Sequence, residues 1–224
     1  MTAVAPQNGR DLALIARLEQ LYVAVVADCL DQVGVRTNVM APHIRPLYPE
    51  AVVAGYALTV HLVEVDQAPD QSLWYSGELE AVDAQQPGDV MVVSTCSGSY
   101  WGELLATASL YRGARGLVAD AYARDTKALI EMRYPTFVAG ALAYDSLGRI
   151  DVDAVGVPIE CGGVTVNPGD LILGDHDGVV VIPRQLAEQV ISLAEEKVAG
   201  ENLMRQKLAE GMSVSEAFRS YGVL

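Results

Sequence analysis

The segment WGELLATASLYRGARGLVADAYARD, residues 101–125, decides the fold. A helix is expected from about Trp101 to Arg112, with Gly113 to end it. The short apolar run Gly116-Leu117-Val118-Ala119 then reads as a buried strand. It stops abruptly and delivers three charged side chains, Asp120, Arg124 and Asp125. Upstream, Pro87-Gly88-Asp89 is a turn that launches a strand over Val90-Met91-Val92-Val93, followed by a small polar loop over 94–99. Strand, helix and strand in that order predict a right-handed crossover between parallel strands, so the two loops after the strands open on one edge of a sheet.

The pattern extends outward on both sides. Residues 10–33 carry apolar positions at helical spacing and Gly34 is placed to stop the helix, while 51–65 is rich in β-branched residues and reads as strand. A further strand is expected over Phe137-Val138-Ala139-Gly140. From 155 to 183 short β runs alternate with turn residues, which predicts an antiparallel meander. Asp175-His176-Asp177-Gly178 resembles a cluster of metal ligands, but Asp-Gly between two strands is first of all a hairpin turn. C-terminal helices are expected over about 184–220: a long one over roughly 184–209, then a short one opened by the capping box Ser213-Val214-Ser215-Glu216. No internal repeat or flexible linker interrupts residues 1–224, so one α/β domain is expected, with a central mixed sheet, flanking helices and a C-terminal helical extension.

Composition excludes several functions. Apolar residues make up 51% of the 224 and charged residues 20%, which suits a packed core. The net charge of −14 repels phosphate backbones and argues against nucleic-acid binding. No apolar run approaches the roughly 18 residues of a membrane span, and the N-terminus lacks the basic and apolar regions of a secretory signal, so a cytoplasmic protein is expected. Cys29, Cys96 and Cys161 are far apart and form no CxxC, and His43, His61 and His176 form no ligand pair; buried thiols and no histidine-built zinc site follow. The carboxylate excess suits a hard divalent cation such as Mg²⁺ or Mn²⁺.

The loops flanking the expected crossover carry the candidate chemistry. Around Gly102, Glu103, Leu104 and Leu105 the helix offers free backbone N–H groups and its positive dipole end, a receptor for a carboxylate. The other loop presents the cation Arg124 beside the anion Asp125, so the two together can hold a carboxylate and a metal ion. The bland alternatives are a helix cap with a surface ion pair for Arg124-Asp125, and a favourable helix-dipole position for Glu103.

The chain reads E-x20-R-D with Glu103, Arg124 and Asp125. With VVADCLDQVG (25–34), YPTFVAGALAYDSLGR (134–149) and VPIECGGVTVNPGDLILGDHDGVVVIP (157–183), this spacing resembles the RraA-like superfamily, in its metal-dependent 4-hydroxy-4-methyl-2-oxoglutarate/4-carboxy-4-hydroxy-2-oxoadipate aldolase branch. The resemblance implies a swivelling β/β/α fold, a trimer or hexamer with sites between subunits, and a class II aldolase that also decarboxylates oxaloacetate. By position, Asp125 is implied as the metal ligand, Arg124 as the contact for a 2-oxo acid, and the backbone at Gly102, Glu103, Leu104 and Leu105 as the carboxylate receptor. Glu103 is implied either to support the metal's ligands from behind or to orient metal-bound water, and Glu201 is the candidate glutamate donated by a neighbouring subunit. A Schiff-base route would rely on Lys127, the lysine nearest these loops, and is disfavoured. The superfamily also holds regulators that inhibit an RNA-degrading enzyme by contact; these carry glycine at the Glu103 position and a different sequence after Arg-Asp. No glycine-rich strand-turn-helix supports an adenosyl cofactor. One departure stands out: Ala121 replaces the usual glycine of Val-Asp-Gly, which is expected to reshape the pocket floor.

Overall fold

The computed structural model describes residues 9–222; the leader reading at the N-terminus and both ends of the expected 1–224 domain fall partly outside them. The expected helix over 10–33 is instead two, α1 (Leu12–Leu18) and α2 (Val23–Gln32). The break has a physical reason. Asp11 caps α1 by accepting from the N–H groups of Ala13 and Leu14, whereas α2 begins after an extended Tyr22 and is turned so that Val23, Val25, Val26, Cys29 and Leu30 are buried. Gly34, at φ +87°, ends α2 as expected.

The strand elements follow as β1 (Arg45–Pro46) and the long β2 (Val53–Glu64), then α3 (Ser76–Asp83), β3 (Asp89–Val93), β4 (Ser99–Trp101), α4 (Glu103–Tyr111), β5 (Gly116–Ala123), α5 (Thr126–Glu131) and β6 (Thr136–Ala141). The later elements are β7 (Ile150–Val155), β8 (Ile159–Cys161), β9 (Val164–Val166), β10 (Leu171–Asp175), β11 (Gly178–Ile182), α6 (Ala187–Ala209) and α7 (Val214–Tyr221). Nine strands form one mixed, nearly closed sheet in the order β1-β6-β5-β3-β2-β10-β11, with β4 added to β5 and β7 to β2. Its centre, β2, β3, β5 and β6, is parallel, as the crossover reading predicts, and β10, β11 and β7 join antiparallel. The expected meander over 155–183 is split: β8 and β9 leave the sheet as a separate hairpin and only β10–β11 continue it.

Strand alternation distributes the core. On one face Val90, Val92, Val118 and Phe137 pack beneath the β8–β9 hairpin residues Ile159, Cys161, Val164 and Val166. Phe137 reaches across to β10, where a Cβ on Gly174 would lie 3.1 Å from its ring, so a glycine is needed there. On the other face Met91, Val93, Leu117 and Ala119 meet α3, α4 and α5, while α1, α2 and α6 cover β10, β11 and the start of β2. Burying each such side chain contributes about 1.5–3 kcal/mol before the entropy of folding is set against it. Cys29 and Cys161 are fully buried thiols, as expected; Cys96 is half-buried. Among the described residues no helix is long and apolar enough to cross a membrane.

Candidate active site

The segment read as a loop over 94–99 ends in a strand. β4 pairs in parallel with the end of β5, Ser99 opposite Tyr122 and Trp101 opposite Ala123. Gly98 permits this entry, since a Cβ there would lie 2.4 Å from Ile150. β5 is also longer than the apolar run 116–119 suggests, because Ala121 and Ala123 are buried among α3, α4 and α5 and extend it. Short β4 therefore sets the N-terminus of α4 directly beside the C-terminal end of β5, and the Arg124 N–H donates to the Trp101 carbonyl at 2.8 Å.

Gly102 is the N-cap of α4 and Asp125 that of α5. Asp125 takes a left-handed conformation, φ +55°, which aspartate tolerates better than most residues and which often marks a functional position. Its Oδ2 accepts from the Glu103 N–H at 3.3 Å, and a Cβ on Gly102 would lie 2.8 Å from the same oxygen. The Leu104 and Leu105 N–H groups have no acceptor among the described residues, as the first turn of a helix leaves them. Glu103 Oε1 accepts from the Thr107 hydroxyl at 3.1 Å. Glu103 and Asp125, with Ala128, Glu131 and Met132, line an open cleft of about 520 Å³.

Arg124 leaves in a different direction. Its Nη1 lies 3.1 Å from Asp145 Oδ1, in the connection between β6 and β7. The Tyr75 hydroxyl donates to Asp145 Oδ2 at 2.6 Å. Burial works against ionisation of Asp145, but the Tyr75 hydrogen bond and the Arg124 charge prevail and hold its carboxyl below the ordinary range. Asp145 and Tyr75 were not singled out from the sequence; Asp145 lies inside YDSLGR, and nothing local marks Tyr75. Asp120 also turns inward, away from Arg124 and Asp125. His43 Nε2 lies 2.7 Å from its Oδ1, and Thr95 and the Gly162 N–H donate to its Oδ2. Against the effect of burial, these partners keep its carboxyl below the ordinary range.

One expectation needs correction and another holds. Ala121 does not form a pocket floor: its methyl is buried with Ala119 and Ala123 beneath the helices, where the pairing of β5 with β6 shifts register. The Asp175–Gly178 segment is a hairpin turn, as the bland reading holds: Asp175 Oδ1 accepts from the Asp177 N–H and Oδ2 from the Val23 N–H, both at 2.8 Å, so it caps α2. Glu201, on α6, is bonded by the Tyr22 hydroxyl. It belongs to the α1–α2–α6 layer, while Glu103 and Asp125 lie with α4 and α5, so one chain does not bring them together.

Residues 23–181 match the family model described as "RraA-like: Aldolase/RraA", and the chain belongs to that family. A protein of Halalkalibacterium halodurans named "Putative 4-hydroxy-4-methyl-2-oxoglutarate aldolase" is 29% identical over 93% of this chain and 94% of its own length. An uncharacterized protein from Pseudomonas syringae pv. tomato has a solved structure that superimposes with a TM-score of 0.83 at 28% identity, covering 99% of this chain and 100% of that one. Streptomyces coelicolor RraAS2, titled an unusual member of the RNase ES inhibitor RraA protein family, gives 0.78 at 26% identity over 89% of this chain and 100% of its own.

Proposed function

We propose that this protein is a divalent-metal-dependent lyase that cleaves a 4-hydroxy-2-oxo acid to pyruvate and a second oxo acid, with oxaloacetate decarboxylation as a side activity. The observation that carries the reading is the Asp125 carboxylate, seated in the hollow left by Gly102 at the positive end of α4 and facing an open cleft. Among the described residues no three His, Cys, Asp or Glu side chains are grouped as a ready-made cage. A site with one carboxylate fits Mg²⁺ or Mn²⁺, which keep several waters and need only one or two protein ligands. Asp125 would hold the ion, and its chemistry would be Lewis-acid stabilisation of negative charge on the substrate's oxygens.

The chain's own groups do the rest. The substrate carboxylate is received by the free N–H groups of Leu104 and Leu105 and by the dipole of α4. Cleavage of the C3–C4 bond, or loss of CO₂ from oxaloacetate, leaves the enolate of pyruvate. Arg124 neutralises the charge that grows on its C2 oxygen, an interaction stronger in the transition state than in the substrate. Glu103 orients the water that takes the proton from the C4 hydroxyl, and that proton balances protonation of the enolate at C3. Assembly as a trimer or hexamer is supported by the apolar surface α4 leaves uncovered beside the cleft: Leu104 is 78% and Tyr111 94% exposed. In such an assembly Glu201 of an adjacent chain completes the site.

The test is pyruvate release from 4-hydroxy-4-methyl-2-oxoglutarate and from oxaloacetate, with Mg²⁺, with a chelator, and with Asp125→Ala. Release that needs both the metal and Asp125 is expected. No release above the metal-only background from either acid would overturn the lyase reading. It would favour the alternative, a non-catalytic regulator of an RNA-degrading enzyme, which the likeness to Streptomyces coelicolor RraAS2 supports.

A further inference from the structure

The Arg124–Asp145 pair is more constrained than a surface ion pair between two partly exposed side chains. Asp145 Oδ1 is buried and makes no hydrogen bond among the described residues; its charged neighbour is Arg124 Nη1 at 3.1 Å. The rest of Asp145 is pinned. Its Oδ2 accepts from Tyr75, its carbonyl accepts from Arg149 Nη1 at 3.1 Å, and the next residue, Ser146, is buried close to Glu78, itself buried on α3. Tyr75, the N-cap of α3, is itself in the left-handed region at φ +58°, uncommon for an aromatic residue. α3 is fixed in turn against β7, where a Cβ on Gly77 would lie 2.6 Å from Val152. The whole construction ends on the Arg124 side chain, whose Nε lies beside Gly102, 3.6 Å from where a Cβ on that glycine would stand.

We propose that Asp145, held by Tyr75, is a positioning residue for Arg124: it holds the guanidinium beside the N-terminus of α4 before substrate arrives, and the anionic substrate takes its place. The inference rests on the lyase reading for its kinetic consequence, but the pairing itself does not. Preset orientation lowers the barrier in the bound complex, while the need to displace a carboxylate weakens ground-state binding. Removing the carboxylate charge therefore lowers turnover without raising KM, the opposite of losing a binding contact.

Asp145→Asn and Tyr75→Phe are measured for kcat and KM of Mg²⁺-dependent pyruvate release, and Arg124 is followed by site-resolved mass spectrometry during phenylglyoxal labelling. A fall in kcat of about tenfold for Asp145→Asn, a smaller fall for Tyr75→Phe, and KM unchanged or lowered are expected. Arg124 labels several-fold faster in both variants, while Arg133, paired elsewhere with Glu50, labels at the wild-type rate. If the wild type releases no pyruvate, the lyase reading falls and the labelling rates alone decide the pairing. Wild-type labelling of Arg124 in both variants, or a raised KM with kcat intact, would overturn the positioning role. Tyr75→Phe, which keeps the ring, covers the case in which Asp145→Asn fails to fold.

Discussion

Gly102→Ala puts one methyl group against the Asp125 carboxylate and changes almost nothing else. The new Cβ would stand 2.8 Å from Oδ2 and 3.5 Å from Arg124 Cγ. To regain contact distance the carboxylate must retreat by roughly 0.5 Å. The Glu103 N–H···Oδ2 hydrogen bond, already 3.3 Å, is the interaction that gives way. Gly102 itself is extended, at φ −150° and ψ 178°, a conformation open to alanine, so the backbone is not strained. The change at a helix N-cap is therefore worth at most about 1 kcal/mol of stability. Displacement of a reacting group by about 1 Å can reduce catalysis about a hundredfold, so a half-ångström shift predicts about a tenfold loss of kcat/KM and a comparable loss of Mn²⁺ affinity. Calorimetric Mn²⁺ titration, pyruvate release and thermal melting check the three parts separately. Wild-type metal affinity and turnover would refute the reasoning, and so would a collapse of the melting temperature, which would show the glycine to be structural.

Glu78 supplies a pH prediction. It is 6% exposed on α3, and burial pushes its carboxyl up from an ordinary 4.5 to about 7, the Ser146 hydrogen bond opposing only part of this. The folded protein thus keeps a proton that the unfolded chain has lost. The stability this contributes is full below about pH 4.5 and is gone as pH rises through about 7. Glu78→Gln should flatten the profile and exceed the wild type at pH 8 by up to about 3 kcal/mol in denaturant unfolding; parallel profiles would count against it. Asp175→Ala should lose about 1 kcal/mol by uncapping α2 and leave Mn²⁺ binding intact. Loss of binding would revive Asp175-His176-Asp177 as a metal site.

The βαβ centre was legible because each of its signals is local: β-branched runs, turn residues and Gly113 at the end of α4. What was not legible depended on distant partners. The helix over 10–33 breaks because α2 is capped by Asp175 of the distant β10–β11 turn, and periodicity alone carries no trace of that partner. β4 is a strand only because β5 lies beside it; three residues including Tyr100 and Trp101 have no pattern of their own. Of the candidate site, the meeting of Glu103 with Asp125 follows from the crossover rule. The partners of Arg124 do not, because Asp145 and Tyr75 come from elements that are neighbours only in the folded sheet.

Adjacent opposite charges at the end of a buried strand look like a pair that neutralise each other, and here they do not. Arg124 is the bend that follows β5, and its side chain reaches Asp145 in the connection between β6 and β7. Asp125 then turns into the left-handed region, which swings its carboxylate back onto the α4 N-terminus. An Arg-Asp contact along the chain would have tied up both groups at the surface for less than about 1 kcal/mol. Separating them leaves a cation and an anion fixed by different elements, each with capacity for a further ligand. On the proposed lyase reading a chelating 2-oxo acid would need such an arrangement, because the positive group meeting its developing charge must stand apart from the carboxylate that would hold the ion. The left-handed turn at Asp125 is thus the backbone feature on which both halves of the site depend.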